Sequence, residues 1–292
     1  MKQAILITAY KDIEQLDLLI QQFDNDFNFY IHIDKKSKIQ KKQIELLKQI
    51  ENVKCVIQDF KINWGGLNHL KAYLKLSEIA LKNSENEVFH LITGQDYPLK
   101  SKAEFKKFFD ENKHLNFIEF DKMPTPNWKD GGMYRLEHFN FHDYINAKTY
   151  IGNRMHPRIF KFQKWFNVKR PIYFDLQCFG GSTYWSLSRI VLQYVIDYTN
   201  KNPAFLNRFK FSFCAEEIYF QTIILNSKHK QNVVDNNLRF IDWESGKGGY
   251  PAFFDERDFG RLVDSNKFFA RKIDIQQYSL IDLINKHKDK VG

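Results

Sequence analysis

Short runs of apolar and β-branched residues alternate, over positions 1–120, with stretches whose apolar residues recur at helical spacing. The runs at 4–8, 29–33, 53–57, 88–93 and 117–120 are too short for helices and rich in Ile, Val and Phe, so they predict strands. Between them, Ile13, Leu16, Leu19 and Ile20 share one helical face, with Asp12 placed to cap it. A basic helix follows at 39–49, and Leu70, Tyr73, Leu74, Leu76 and Ile79 form the face of a third. Ser101 and Glu104 stand in capping-box spacing ahead of a fourth. This alternation predicts an α/β chain with a mostly parallel central sheet flanked by helices. Ligands in such sheets sit beyond the carboxyl ends of the strands.

From 121 to 177 the periodicity fades, and aromatics such as Tyr134, Phe139, Tyr144, Phe160 and Trp165 mix with Lys and Arg. This stretch is either an insertion carrying acceptor-binding surface or a structural excursion. No linker rich in Gly, Ser or Pro interrupts it. The expectation is therefore a single domain over 1–292, with a nucleotide-binding half about 1–120 and an acceptor and catalytic half about 121–292. The pattern resumes with a helix at 189–198 capped by Ser188, an apolar helical run at 218–225, a strand at 238–243 and a helix at 276–287.

Composition narrows the class. Apolar residues are 43% and aromatics 16% of 292 positions, which supplies a core and excludes global disorder. No apolar run is long enough to span a bilayer. The opening Met1-Lys2-Gln3 and the run at 4–8 read as a buried strand instead of a signal peptide. Three cysteines (Cys55, Cys178, Cys214), odd in number and without metal spacing, fit a reducing cytoplasm. The net charge of +9 favours anionic partners: nucleotide phosphates, lipid headgroups or nucleic acid. The lysines are scattered through the helices, which argues against nucleic acid.

Several stretches carry candidate chemistry. Glu216 and Glu217 immediately precede the apolar run at 218–225, where they either complement a helix dipole or present a general base. Asp34 ends a strand. Trp64-Gly65-Gly66 opens a helix, as an ordinary turn or as a close approach to a ligand. Gly94-Gln95-Asp96 follows the fourth strand with one acid only, where a divalent metal would want more oxygen ligands. Asp24-Asn25-Asp26 precedes a strand and reads as a turn. His32, His69 and His90 have no paired metal-ligand spacing, so no metal is expected. Arg271-Lys272 either ends a strand in solvent or meets a developing diphosphate charge.

In order along the chain stand His32–Ser37 (HIDKKS), Trp64–Gly66 (WGG), Thr93–Leu99 (TGQDYPL), Gly181–Arg189 (GSTYWSLSR), Glu216–Thr222 (EEIYFQT), Arg239–Trp243 (RFIDW) and Phe269–Lys272 (FARK). This order resembles the core-2/I-branching glycosyltransferases, which include branching β-1,6-N-acetylglucosaminyltransferases and peptide O-xylosyltransferases. The resemblance runs from Ile5 to Asp274. It implies a GT-A-type nucleotide-diphospho-sugar transferase fold and an inverting reaction independent of metal, with no cofactor beyond the UDP-sugar donor. It makes Glu217 the catalytic base and gives Arg271 and Lys272 to the diphosphate. Asp34 and Asp96 fall near the donor's nucleotide and sugar, and Trp64, Gly65 and Gly66 near its uridine. Gly181, Ser182, Tyr184, Trp185, Asp242 and Trp243 fall by the acceptor.

Two departures stand out. Animal members carry a membrane anchor and several disulfides, absent from this sequence, which suits a bacterial cytoplasmic relative. Where the family often has Ser-Pro-Asp before its Glu, this chain has Cys214-Ala215-Glu216, which leaves the base between Glu216 and Glu217. The expected activity is transfer of a sugar, N-acetylglucosamine first, from UDP to a glycan hydroxyl. The acceptor would be a bacterial surface polysaccharide, lipid-linked, with peripheral contact to anionic membrane and no nucleic acid. The rival is a non-catalytic basic protein that binds nucleic acid or acidic glycan.

Overall fold

The computed structural model describes residues 1–291. Its elements begin with β1 (Lys2–Ala9), α1 (Ile13–Ile20), β2 (Phe27–Ile33), α2 (Lys41–Lys48), β3 (Val53–Ile57), α3 (Leu67–Leu81) and β4 (Asn86–Thr93). A short β5 (Asp96–Pro98), α4 (Lys102–Glu111), β6 (Asn116–Ile118), β7 (Asp121–Lys122), α5 (Tyr134–Glu137) and α6 (Tyr150–Trp165) follow. The chain continues through β8 (Phe179–Gly180), β9 (Trp185–Ser188), α7 (Arg189–Lys201), α8 (Pro203–Arg208) and α9 (Tyr219–Leu225). It ends with β10 (Val233–Val234), β11 (Arg239–Ile241), α10 (Phe259–Asp264), β12 (Phe269–Arg271) and α11 (Tyr278–Val291).

A seven-stranded sheet in the order β10-β6-β9-β4-β1-β2-β3 forms the centre. β1 is parallel to β2 and β4, and β2 to β3. From Gln3 to Ala9 every residue of β1 is buried, as a central strand covered on both faces requires. One core cluster joins α3, α7 and α9 to one face of the sheet, and a second packs α1, α2 and α4 on the other. The α/β expectation with a mostly parallel sheet therefore holds.

β9 was not expected. It lies between β4 and β6 and is antiparallel to both. A three-stranded sheet, β11-β12-β5, sits beside the main one and covers a third apolar cluster with α11. Arg239 ties the two sheets together: its buried guanidinium donates to Trp185 O at 2.8 Å, Leu91 O at 3.1 Å and Ser186 Oγ at 2.8 Å.

Local expectations fared unevenly. The Ser101–Glu104 capping box is present in both directions. Asp12 and Ser188 begin their helices without capping them. The Asp12 carboxylate meets Lys11 at 2.6 Å and the Ser188 hydroxyl donates to Asn116 Oδ1 at 3.0 Å. Asp24 and Asp26 form the expected turn and share Lys106. The aperiodic region contains α6, whose interior proline at 157 and sparse buried face erased the helical signal.

Candidate active site

Cys214 takes a left-handed backbone (φ 49°), after which Ala215–Glu217 make one tight turn and α9 begins. All seven residues of α9 are buried, so the turn rests on a fixed base. Main-chain bonds pin it from three sides. Phe213 N donates to Arg135 O at 2.9 Å, Cys214 N to Gly65 O at 3.0 Å, and Gly181 N to Glu217 O at 2.9 Å. Gly181 itself must be glycine, because a Cβ there would lie 2.0 Å from Glu119 O.

The two adjacent carboxylates face different ways. The Glu216 side chain is 4% exposed and points at His69 Nδ1, 3.2 Å away. His69 Nε2 in turn meets the Tyr73 hydroxyl at 2.8 Å. The Glu217 side chain is 27% exposed and accepts a hydrogen bond from Arg135 Nη1. Burial raises the Glu217 pKa above the usual carboxylate range, and Glu216 adds to that; Arg135 opposes both without cancelling them. The Arg135 guanidinium is held over the Trp128 ring at 3.9 Å. Arg135 was not singled out from the sequence, where it is one basic residue among many in the aperiodic region.

A second charged group lies across Tyr184. Asp96 is fully buried, and its Oδ2 accepts from Thr93 N at 2.6 Å and Thr93 Oγ1 at 2.7 Å. Arg271 reaches the same oxygen at 3.4 Å and also donates to Thr93 Oγ1. The Asp96 carboxylate thus organises its own turn and holds Arg271. The Arg271 guanidinium sits 5.4 Å from the Tyr184 ring centre. Burial raises the Tyr184 pKa, and Arg271 opposes that rise. Lys272 lies next to Gly249 and the Phe253 ring. Burial, then Arg271, Lys148 and Lys11, depress its pKa to about 8.

A cavity of about 690 Å³ opens at the carboxyl ends of β1 and β2. Tyr10, Lys11, Asp34, Lys36 and Asn146 are among its lining residues. The Asp34 carboxylate accepts from Lys36 N at 2.9 Å and Ile62 N at 3.2 Å. Tyr10 donates to Gln95 Oε1 at 3.4 Å, which joins the cavity wall to the turn that carries Asp96.

Trp64, Gly65 and Gly66 do not line this cavity; they pack on the turn that carries Glu216 and Glu217. The Trp64 ring is 5.0 Å from Phe213, and a Cβ on Gly66 would collide with Asp143, whose carboxylate caps α3 through Leu67 N and Asn68 N. Ser182 O accepts from Gln221 at 2.7 Å beside that turn. Trp185 is corrected from an acceptor contact to a core residue: its indole is fully buried and packs 5.2 Å from Phe220. Asp242 is engaged by its own loop, with bonds from Glu244 N, Ser245 N and Arg261 that pull its pKa down to about 2, while Trp243 is exposed. Among the described residues, no group of three His, Cys, Asp or Glu is arranged to hold a metal ion.

Comparison with known proteins adds relatives to this geometry. A family model described as Core-2/I-Branching enzyme matches residues 4–263. Xylosyltransferase 2 of Canis lupus familiaris is 27% identical, over 92% of this chain and 31% of its own length. Xylosyltransferase 1 of Mus musculus is 24% identical, over 91% and 28%. The chain therefore spans about a third of the length of the curated relatives it matches. Among solved structures, S. aureus TarS 1–349 aligns with TM-score 0.39 and 17% identity, over 80% of this chain and 57% of that one. TarS 1–349 in complex with UDP-GlcNAc aligns with TM-score 0.30 and 23% identity, over 42% and 34%.

Proposed function

The chain belongs to the Core-2/I-Branching enzyme family, and from that premise we propose that it is an inverting glycosyltransferase of GT-A type that moves a sugar from UDP to a glycan hydroxyl. The observation that carries the reading is the divergence of the paired glutamates. Glu216 is buried against His69, while Glu217 is part-exposed, raised in pKa and paired with Arg135.

A sugar hydroxyl is a weak nucleophile, so the acceptor proton passes to Glu217 as its oxygen attacks the anomeric carbon. A base whose pKa approaches the working pH suits that transfer and contributes about 10²–10⁴-fold. The bond from the anomeric carbon to the diphosphate breaks on the opposite face, and an α-linked donor gives a β-linked product. The charge that develops on UDP meets Arg271 and Lys272, fixed cations in a partly buried setting. Metal independence is part of the proposal; what supports it is that Oδ2 of Asp96, the one acid of that turn, is taken by Thr93 and Arg271.

N-acetylglucosamine is the proposed donor sugar, from the family resemblance; xylose is the alternative that the names of the relatives favour. The proposed acceptor is a bacterial surface polysaccharide, lipid-linked, met at the cytoplasmic face of an anionic membrane. UDP release from a panel of UDP-sugars, with and without acceptor, tests the reading. Glu217→Gln should lower turnover at least about 10²-fold with UDP affinity little changed. Loss with Glu216→Gln and not with Glu217→Gln would move the base by one residue. Absence of UDP-sugar binding together with salt-sensitive oligonucleotide affinity would favour a basic binding protein instead.

A further inference from the structure

Helix α6 is attached to the protein by Gln163 and by the rings of His156 and Phe160, which pack on His142, Tyr134 and His138. Its buried residues are Gly152 and Gln163. Gln163 accepts from Phe139 N at 2.7 Å and donates to Phe139 O at 3.0 Å. Ile159 and Phe160 are half-buried, Phe160 against Tyr134 and His138, whereas Ile151, Met155, Phe162, Trp165 and Phe166 are exposed, Trp165 by 81%. Positions 151, 155, 162 and 166 fall on one stripe at helical spacing. The Phe162 and Phe166 rings are 4.5 Å apart, and Trp165 adds its ring 5.4 Å from Phe166. Single exposed apolar residues are normal, but a continuous stripe marks a contact surface.

The charge around the stripe is of one sign. From Lys148 to Arg170 the chain carries seven Lys or Arg and no Asp or Glu. Arg170 is buried on backbone carbonyls. Arg154, Arg158 and Lys161 are exposed on the arc of α6 that borders the stripe. The acid that reaches this helix is Asp130, paired with Lys164 at 3.7 Å on the flank away from it. An exposed apolar stripe with aromatic members, edged by cations, is the pattern of a helix that lies in a lipid interface. Nucleic acid would use the cations but leave the aliphatic and aromatic stripe uncovered.

We propose that α6 is a docking surface for an anionic lipid bilayer, with Ile151, Met155, Phe162, Trp165 and Phe166 in the headgroup boundary and Arg154, Arg158 and Lys161 on lipid phosphates. This goes beyond the catalytic reading by assigning the membrane contact to one face, and its test needs no turnover. Asn146, which lines the cavity at the ends of β1 and β2, accepts through its carbonyl from Thr149 N at 3.1 Å, so the N-terminal end of α6 is joined to that cavity's wall.

Sedimentation of the full chain with vesicles of phosphatidylcholine alone, or of equimolar phosphatidylcholine and phosphatidylglycerol, tests the proposal. Binding should be confined to the mixed vesicles and weaken as salt rises. The triple variant Phe162→Ser, Trp165→Ser, Phe166→Ser should partition at least about 10-fold less. So should Arg154→Gln, Arg158→Gln, Lys161→Gln. Neither should change UDP release with a water-soluble acceptor. The proposal is overturned if the wild type ignores anionic vesicles, if it binds both vesicle types equally, or if both variants bind like the wild type. It is also overturned if the chain self-associates without lipid and the aromatic variant alone abolishes that, because the face would then be an interface between copies.

Discussion

Replacing Arg135 by Met keeps an unbranched stem and removes the guanidinium that lies over Trp128 and donates to Glu217. Glu217 already has a raised pKa because burial and Glu216 outweigh Arg135. Arg135 favours the carboxylate, so its loss favours the acid. An opposite charge in direct contact is worth at least about 1.4 kcal/mol to the ionised form. On the acidic limb of the pH–rate profile the ionised fraction, and with it the rate, should therefore fall about 10-fold or more. The limb should move to higher pH, and the loss should shrink as pH rises, because hydroxide restores the base. The assay is UDP release at saturating donor across pH. Stability supplies a second readout. In the variant the folded-state pKa lies still further above the unfolded one. The stabilisation this brings is full below the unfolded pKa and lost as pH rises through the folded pKa. The stability deficit relative to wild type should therefore widen from acid towards neutral pH. A uniform loss of rate at every pH, with the limb unmoved, would refute the idea that Arg135 acts through the ionisation of Glu217.

The cation reading makes further demands. Activity should survive excess EDTA, and Arg271→Ala or Lys272→Ala should weaken UDP binding by about 10-fold or more, measured by calorimetry. Abolition by EDTA with recovery on manganese would transfer the charge to a metal. Because Lys272 loses its proton at about pH 8, UDP affinity should fall as pH rises through that value, and Lys272→Arg should remove the fall. Asp96→Asn leaves Arg271 in a buried site without its counter-charge, so urea unfolding should show a loss of about 3 kcal/mol or more; an unchanged midpoint would contradict the role given to Asp96.

The strands of the parallel half were readable because they are covered on both faces, so Ile5-Leu6-Ile7 and its counterparts are unbroken apolar runs. β9 escaped because four residues that precede a helix look like its lead-in. Only the non-local pairing of Phe89 with Leu187 makes them a strand. α6 escaped because half of its apolar residues face outward and its buried anchors include a glutamine and a glycine. The glutamate pair was legible as chemistry but not as direction. Which carboxylate turns outward depends on a left-handed backbone at Cys214, and nothing in a cysteine announces that. Arg135 lies 82 positions from Glu217, in a stretch whose pattern had faded, so its partnership exists only in the folded chain.

The three main-chain bonds around the catalytic turn bear on which changes the site can absorb. They run through Phe213 N, Cys214 N and Glu217 O, and none uses a side chain of the turn. A change of the Glu216 side chain can therefore alter what stands beside Glu217 without displacing it. The residues that cannot drift lie elsewhere, at Gly66 and Gly181, where an added methyl group would strike Asp143 or Glu119. Engineering of pH response should begin within the turn at Glu216, which could be exchanged for Gln while the position of Glu217 is kept by its neighbours' backbone.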